Sequence, residues 1–204
     1  MQSPLSAALV QEGFESSGGF EVGTSLDDYE SWTVVTGNAT IITDQAHSRS
    51  QSVEIAVPTE GVTELERTLP SADSTSLYTD FWLRPVVPEG TTESTVTLDG
   101  AFLGFSRGTG EDQAQVFVFD GDPATGSGTW QATGITFAVD PANGEAQSWH
   151  RLTFLHDYSS QQWSLAVDGA PAAEGLGFDR EVTAPSKFIL FGSALAKATW
   201  IPSR

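Results

Sequence analysis

The stretch Tyr78-Thr79-Asp80-Phe81-Trp82-Leu83-Arg84 carries the residue types that bind sugars. Stacking on a pyranose ring needs a flat apolar face, which Trp and Tyr supply. Reading its hydroxyls needs planar groups that donate and accept hydrogen bonds, which Asp and Arg supply. In an extended strand, period-two alternation places Tyr78, Asp80, Trp82 and Arg84 on one side and Thr79, Phe81 and Leu83 on the other. Phe81 and Leu83 suit a core, so the first set is expected to face solvent. Trp32 and Trp130, in or beside polar stretches, are second candidates for stacking, carried there on loops. The opposing reading of the same strand covers Trp82 with a loop and pairs Asp80 with Arg84, two positions along.

Other chemistry-bearing residues point less sharply. Asp120-Gly121-Asp122 offers two carboxylates on a turn, and Asp27, Asp28 and Glu30 form a second acidic group; hard oxygen ligands of this kind suit calcium. Neither follows the spacing of an EF-hand loop. His47, His150 and His156 show no metal-binding spacing. His150 and His156 fall on one face of a strand, about 20 Å apart, with Leu152 and Phe154 between them. Their expected role is hydrogen bonding at strand ends. His156 beside Asp157 resembles a base with its orienting acid, yet no serine elbow motif accompanies it.

These residues need a scaffold, and the chain describes one. Short apolar segments with period two recur between glycines, prolines, Asp-Gly and Asn-Gly, the pattern of antiparallel strands joined by turns. Strands are expected over 8–15, 32–35, 52–57, 63–69, 77–86, 101–107, 115–120, 135–139, 149–156, 162–167, 187–191 and 198–201, with helix nearly absent. Asp140-Pro141-Ala142-Asn143-Gly144 and Asp168-Gly169 read as tight turns. The glycine-rich segment 121–134 reads as a long loop. A dozen strands in one uncut chain imply two packed sheets, and 204 residues suit a single domain spanning 1–204.

Composition narrows the function classes. Nine basic against 27 acidic residues leave a net charge of −18, so little can neutralise phosphates, and nucleic acid and anionic membranes are expected non-partners. Residues 1–100 hold 16 acids and 3 bases, and residues 101–204 hold 11 and 6, so the N-terminal half carries most of the field. The absence of cysteine excludes disulfides and thiolate chemistry. Apolar runs reach only four residues, as in 7–10 and 188–191, too short to span a bilayer. The opening residues lack a basic region, although Ser6-Ala7-Ala8 is similar to the end of a secretory leader.

Ser148-Trp149-His150-Arg151-Leu152-Thr153-Phe154-Leu155-His156-Asp157-Tyr158, followed by Gln162-Trp163-Ser164-Leu165-Ala166-Val167-Asp168-Gly169, resembles the laminin-G-like, or concanavalin A-like, lectin/glucanase superfamily. Gln11-Glu12-Gly13-Phe14-Glu15, the strand from Tyr78 to Pro85 and the aromatic strand from Lys187 extend the resemblance over nearly the whole chain. It implies an all-β, antiparallel two-sheet jelly-roll β-sandwich. In relatives with structural calcium, a carboxylate near the N-terminal Phe-Glu contributes, which makes Glu15 a candidate ligand beside Asp120 and Asp122. It also implies that Trp149, Trp163 and Trp200 pack inside. The closing strand of such domains usually carries aspartates, and Lys197-Ala198-Thr199-Trp200-Ile201-Pro202-Ser203-Arg204 has none, so a truncated C-terminus or an unused site is expected.

Polysaccharide hydrolases of the superfamily carry Glu-x-Asp-x-x-Glu on one strand. The nearest stretch, Glu64-Leu65-Glu66-Arg67-Thr68-Leu69, lacks the final acid. The expected function is therefore a non-catalytic, extracellular or cell-surface carbohydrate-binding or adhesion module for a polysaccharide. Two alternatives stay open: a structural module of a surface or filament protein that self-associates through an open sheet edge, and a divergent polysaccharide hydrolase or lyase.

Overall fold

The computed structural model describes residues 14–29, 31–47, 50–56, 62–69, 75–92, 100–193 and 197–201. In chain order the strands are β1 (Trp32–Thr36), β2 (Ala39–Ile42), β3 (Ser52–Ile55), β4 (Val62–Thr68), β5 (Ser76–Leu83), β6 (Leu103–Ser106), β7 (Gln113–Asp122), β8 (Ser127–Ala138), β9 (His150–Asp157), β10 (Gln162–Val167), β11 (Ala170–Gly177), β12 (Lys187–Ser193) and β13 (Lys197–Ile201). Two single 3-10 turns, Ser16–Gly18 and Leu26–Asp28, are the helical elements among the described residues. Among the described residues all strand pairings are antiparallel. The sheet orders are β1-β4-β12-β13, β11-β10-β9-β5, β2-β3 and β6-β7-β8. The expected all-β antiparallel class is present; of the expected strand at 8–15, residues 8–13 lie outside the described residues.

Turn chemistry sets the register of the sheet that matters most here. Asp157 Oδ1 accepts hydrogen bonds from the N–H groups of Ser159 (2.9 Å) and Ser160 (3.3 Å), closing the β9–β10 hairpin. At the β10–β11 connection Asp168 and Gly169 both have positive φ, 51° and 81°, the mirror-image turn whose twist matches a two-residue hairpin. That turn explains β11, which the sequence hides. Ala170-Pro171-Ala172-Ala173-Glu174-Gly175-Leu176-Gly177 has poor strand propensity, but the hairpin delivers it to β10, and as an edge strand it tolerates Pro171.

The segment 121–134 is a hairpin rather than a loop. β7 runs to Asp122, a four-residue turn ends on Gly126 (φ 66°), and β8 returns from Ser127. Two of its glycines mark close approach: a Cβ on Gly121 would lie 2.3 Å from the Phe178 carbonyl and one on Gly128 2.5 Å from the Phe119 ring. β2 escapes a sequence reading because Ile41 and Ile42, adjacent and both apolar, break the alternation of so short a run.

Side chains from all four sheets meet in one core that includes Trp32, Ile41, Leu65, Phe105, Val118, Phe154, Trp163 and Phe188. The inward positions of β9 and the turn after it line up as Leu152, Phe154, His156 and Tyr158. Phe154 stacks on Phe81 (6.0 Å, 3°) and on His156 (5.9 Å, 12°), and Tyr158 on Phe178 (5.6 Å, 14°). Trp163 is 1% exposed, in keeping with its expected structural role. The β11-β10-β9-β5 sheet and the β6-β7-β8 sheet touch through backbone: a Cβ on Gly177 of β11 would lie 1.9 Å from the Gly121 carbonyl of β7, so only glycine fits.

Arg107, buried to 3% exposure, holds the loops at one end. Its Nε donates to the Glu111 carbonyl (2.7 Å), Nη1 to Val87 (3.3 Å) and Nη2 to Pro141 (3.0 Å). The expected proline turn at 140–144 is one of the three segments so clamped, closed by Gly144 N–H donating to the Asp140 carbonyl (2.8 Å).

Candidate functional site

β5 alternates as its sequence demands. Tyr78, Asp80 and Trp82 point outward, while Leu77, Phe81 and Leu83 pack against the core. β9 lies beside it in the register Tyr78 to Leu155, Asp80 to Thr153 and Trp82 to Arg151. The outer face therefore carries Tyr78 (62% exposed), Leu155 (50%) and Trp82 (42%) around a polar centre. Single exposed apolar residues are ordinary on protein surfaces; three side chains of this size on two adjacent strands form a patch.

The polar centre is a planar ion pair across the strands. Arg151 Nε donates to Asp80 Oδ1 (2.8 Å) and Nη2 to Oδ2 (2.8 Å), and Thr153 Oγ1 donates to Oδ1 (2.8 Å). The Arg151 hydrogen bonds hold the Asp80 carboxyl below its ordinary pKa against the opposing effect of partial burial. Bidentate geometry fixes both groups in one plane. The opposing reading, which pairs Asp80 with Arg84, is thus corrected: Arg151, diagonal to Asp80 on the neighbouring strand at about 7 Å, is closer than a residue four positions along the same strand. Arg84 lies past the end of β5. Its Nε donates to the Ala146 carbonyl (2.7 Å) and its Nη2 sits 3.4 Å from Glu145 Oε1.

Trp82 does carry a cover, though a partial one. The His47 imidazole stacks on its indole with centroids 3.7 Å apart and planes at 15°, and meets Trp149 edge-on at 6.1 Å. Trp82 and Tyr78 stand four residues apart on one strand face, ~13 Å. Arg151, Thr153, Leu155 and His47 were not legible from the sequence as members of this face. Alternation within one strand was visible, but the register between strands was not.

The remaining candidates lie elsewhere. Trp32 is 8% exposed at the start of β1, packed on Phe14 and Phe188 with the Arg67 guanidinium 5.0 Å from its ring centre, so it is a core residue and no loop platform. Trp130 is half-buried within β8 against Phe119 (5.6 Å). Polar neighbours in sequence do not keep either ring on a loop: Trp32 opens β1 and Trp130 lies within β8. Glu64 and Glu66 share a face of β4. Glu66 pairs with Lys187 at 2.6 Å, and burial followed by the charge of Glu66 raises the pKa of Glu64.

The calcium candidates have protein donors. Glu15 accepts from Ser50 N (3.1 Å), Ser50 Oγ (2.8 Å) and Gln51 N (3.1 Å). Asp120 accepts from Gln131 Nε2 (2.8 Å) and Gly177 N (2.9 Å), and Asp122 from Ala124 N (3.0 Å) and Thr125 Oγ1 (2.9 Å). Among the described residues no three His, Asp or Glu side chains gather. Calcium takes six to eight oxygens, and each of these carboxylates already accepts hydrogen bonds from the protein.

No protein-family model and no curated protein sequence matches the chain. Among solved structures, one titled "Sialidase" aligns with a TM-score of 0.44 and 11% identity over 85% of this chain and 15% of that one. The chain therefore spans a small part of that protein's length, and a superposition this loose assigns neither fold family nor activity.

Proposed function

We propose that this chain is a carbohydrate-binding module of the extracellular space or cell surface, built as a two-sheet jelly-roll sandwich over residues 1–204, and that it binds a neutral polysaccharide on the outer face of β5 and β9, a face that is itself non-catalytic. The observation that carries this reading is the pairing of two exposed aromatic rings, Tyr78 and Trp82, with the fixed Asp80–Arg151 plane between them. Rings supply stacking surfaces. The plane supplies donors and acceptors held in place before any ligand arrives, which lowers the ordering cost of binding. Arg151 is neutralised by Asp80, so the face offers no free cation, and the net charge of −18 repels sulfated and uronic chains. On an array of neutral, uronic and sulfated polysaccharides the protein is expected to bind neutral chains, and Arg151→Ala to bind them more weakly. Binding confined to anionic chains would overturn the reading.

A second reading, self-association through a sheet edge, has one observation in its favour. Residues 123–139 contain no charged side chain, and they carry β8, which among the described residues pairs only with β7. Edge strands without charges or prolines accept partner strands.

A further inference from the structure

On the inward side of the β9 start, Ser148, His150 and Asp168 form a hydrogen-bonded chain that the sugar face does not use. Ser148 Oγ lies 3.2 Å from His150 Nε2, and His150 Nδ1 lies 2.8 Å from Asp168 Oδ2. Ser148 and His150 are two residues apart, so an extended backbone sends both side chains the same way. Phe137 packs against the imidazole at 4.8 Å and leaves its side chain 15% exposed. Asp168 is held by its turn and by β9 together: its N–H donates to the Arg151 carbonyl (2.8 Å), and its Oδ1 accepts from the Arg151 N–H (2.8 Å).

The proton directions follow from the partners. Burial raises the Asp168 carboxyl, but the hydrogen bonds from His150 and from the Arg151 amide outweigh it and hold its pKa below the ordinary value. An ionised carboxylate only accepts, so Nδ1 carries the proton. In the neutral imidazole Nε2 is then an acceptor, to which the Ser148 hydroxyl donates. A nucleophile within reach of a base, whose far nitrogen is oriented by a third group, is the arrangement that activates serine on unrelated folds.

We propose that Ser148 is the nucleophile of an acyl-transfer site that hydrolyses small esters, with His150 as its general base and Asp168 as the positioning residue. Ser148 Oγ bonds to the ester carbonyl carbon as its proton passes to Nε2. The adduct collapses with cleavage of the bond to the alcohol oxygen, which takes that proton. Water then attacks the acyl-serine, gives one proton to Nε2 and releases the acid, and the proton returns to Oγ. Ester and water become acid and alcohol. Ser148 and Asp168 are exposed at a strand end, so the substrate is an ester that projects into solvent, such as an acetyl group on a larger molecule.

The test is covalent labelling with a fluorophosphonate, read by intact mass and peptide mapping, together with turnover of 4-nitrophenyl acetate. Wild type is expected to carry one adduct, on Ser148. Ser148→Ala, a change at an exposed position, is expected to lose adduct and serine-dependent turnover. His150→Asn, checked for folding by circular dichroism, is expected to label at least about 100-fold more slowly. No adduct on Ser148 in the wild type, turnover in Ser148→Ala equal to wild type, or equal labelling rates in folded His150→Asn would each overturn the proposal.

Discussion

His156 is a titratable residue turned into a core residue. It is fully buried in the aromatic column between Phe154 and Phe178, and burial depresses its pKa to about 3. The unfolded chain binds a proton at the ordinary histidine value near 6.5, whereas the folded chain does not until near 3. The stability contributed by the neutral ring is thus complete above pH 6.5 and is lost as pH falls through that window, by about 2 kcal/mol at pH 5. Urea unfolding at pH 7 and pH 5 is expected to show this loss in the wild type and a smaller one in His156→Asn; equal losses would refute it. Its inward side was legible from its spacing to Leu152 and Phe154. Its complete burial was not, because Tyr158 and Phe178, which help enclose it, lie on a turn and on a segment after β11.

The elements were legible where local signals agreed. β1, β3, β4, β9, β10 and β12 follow from alternation between turn residues. β8 and β11 did not, because their glycines and alanines look like loop and became strand only through a hairpin partner or close approach. The same limit hid Arg107, whose carbonyl partners lie on segments far apart in sequence. Arg107→Ala removes a buried guanidinium that ties together the carbonyls of Val87, Glu111 and Pro141 and is expected to lower stability by about 3 kcal/mol, read as a shifted urea midpoint. If the edge of β8 mediates self-association, Ala132→Lys, at an exposed position on that strand, abolishes a concentration-dependent dimer in sedimentation velocity. Unchanged dimerisation would exclude that edge.

At the scale of the molecule, the charge of −18 and the sheet face act together. In the proposed function the field would repel anionic polymers, and the Asp80–Arg151 pair leaves the charge of both groups matched, so stacking and hydroxyl contacts would decide what binds. The strand that carries Tyr78 and Trp82 was visible from residue types and period. The site it belongs to required its neighbour, since Arg151 and Leu155 come from β9. The claim rests most directly on affinity electrophoresis through a gel containing neutral polysaccharide. Wild type is expected to be retarded, and the Tyr78→Ala, Trp82→Ala double variant to migrate as it does without the polymer, while Val35→Ala, which removes an equally exposed apolar residue on β1, behaves as wild type. Equal retardation of the double variant and the wild type would contradict the account.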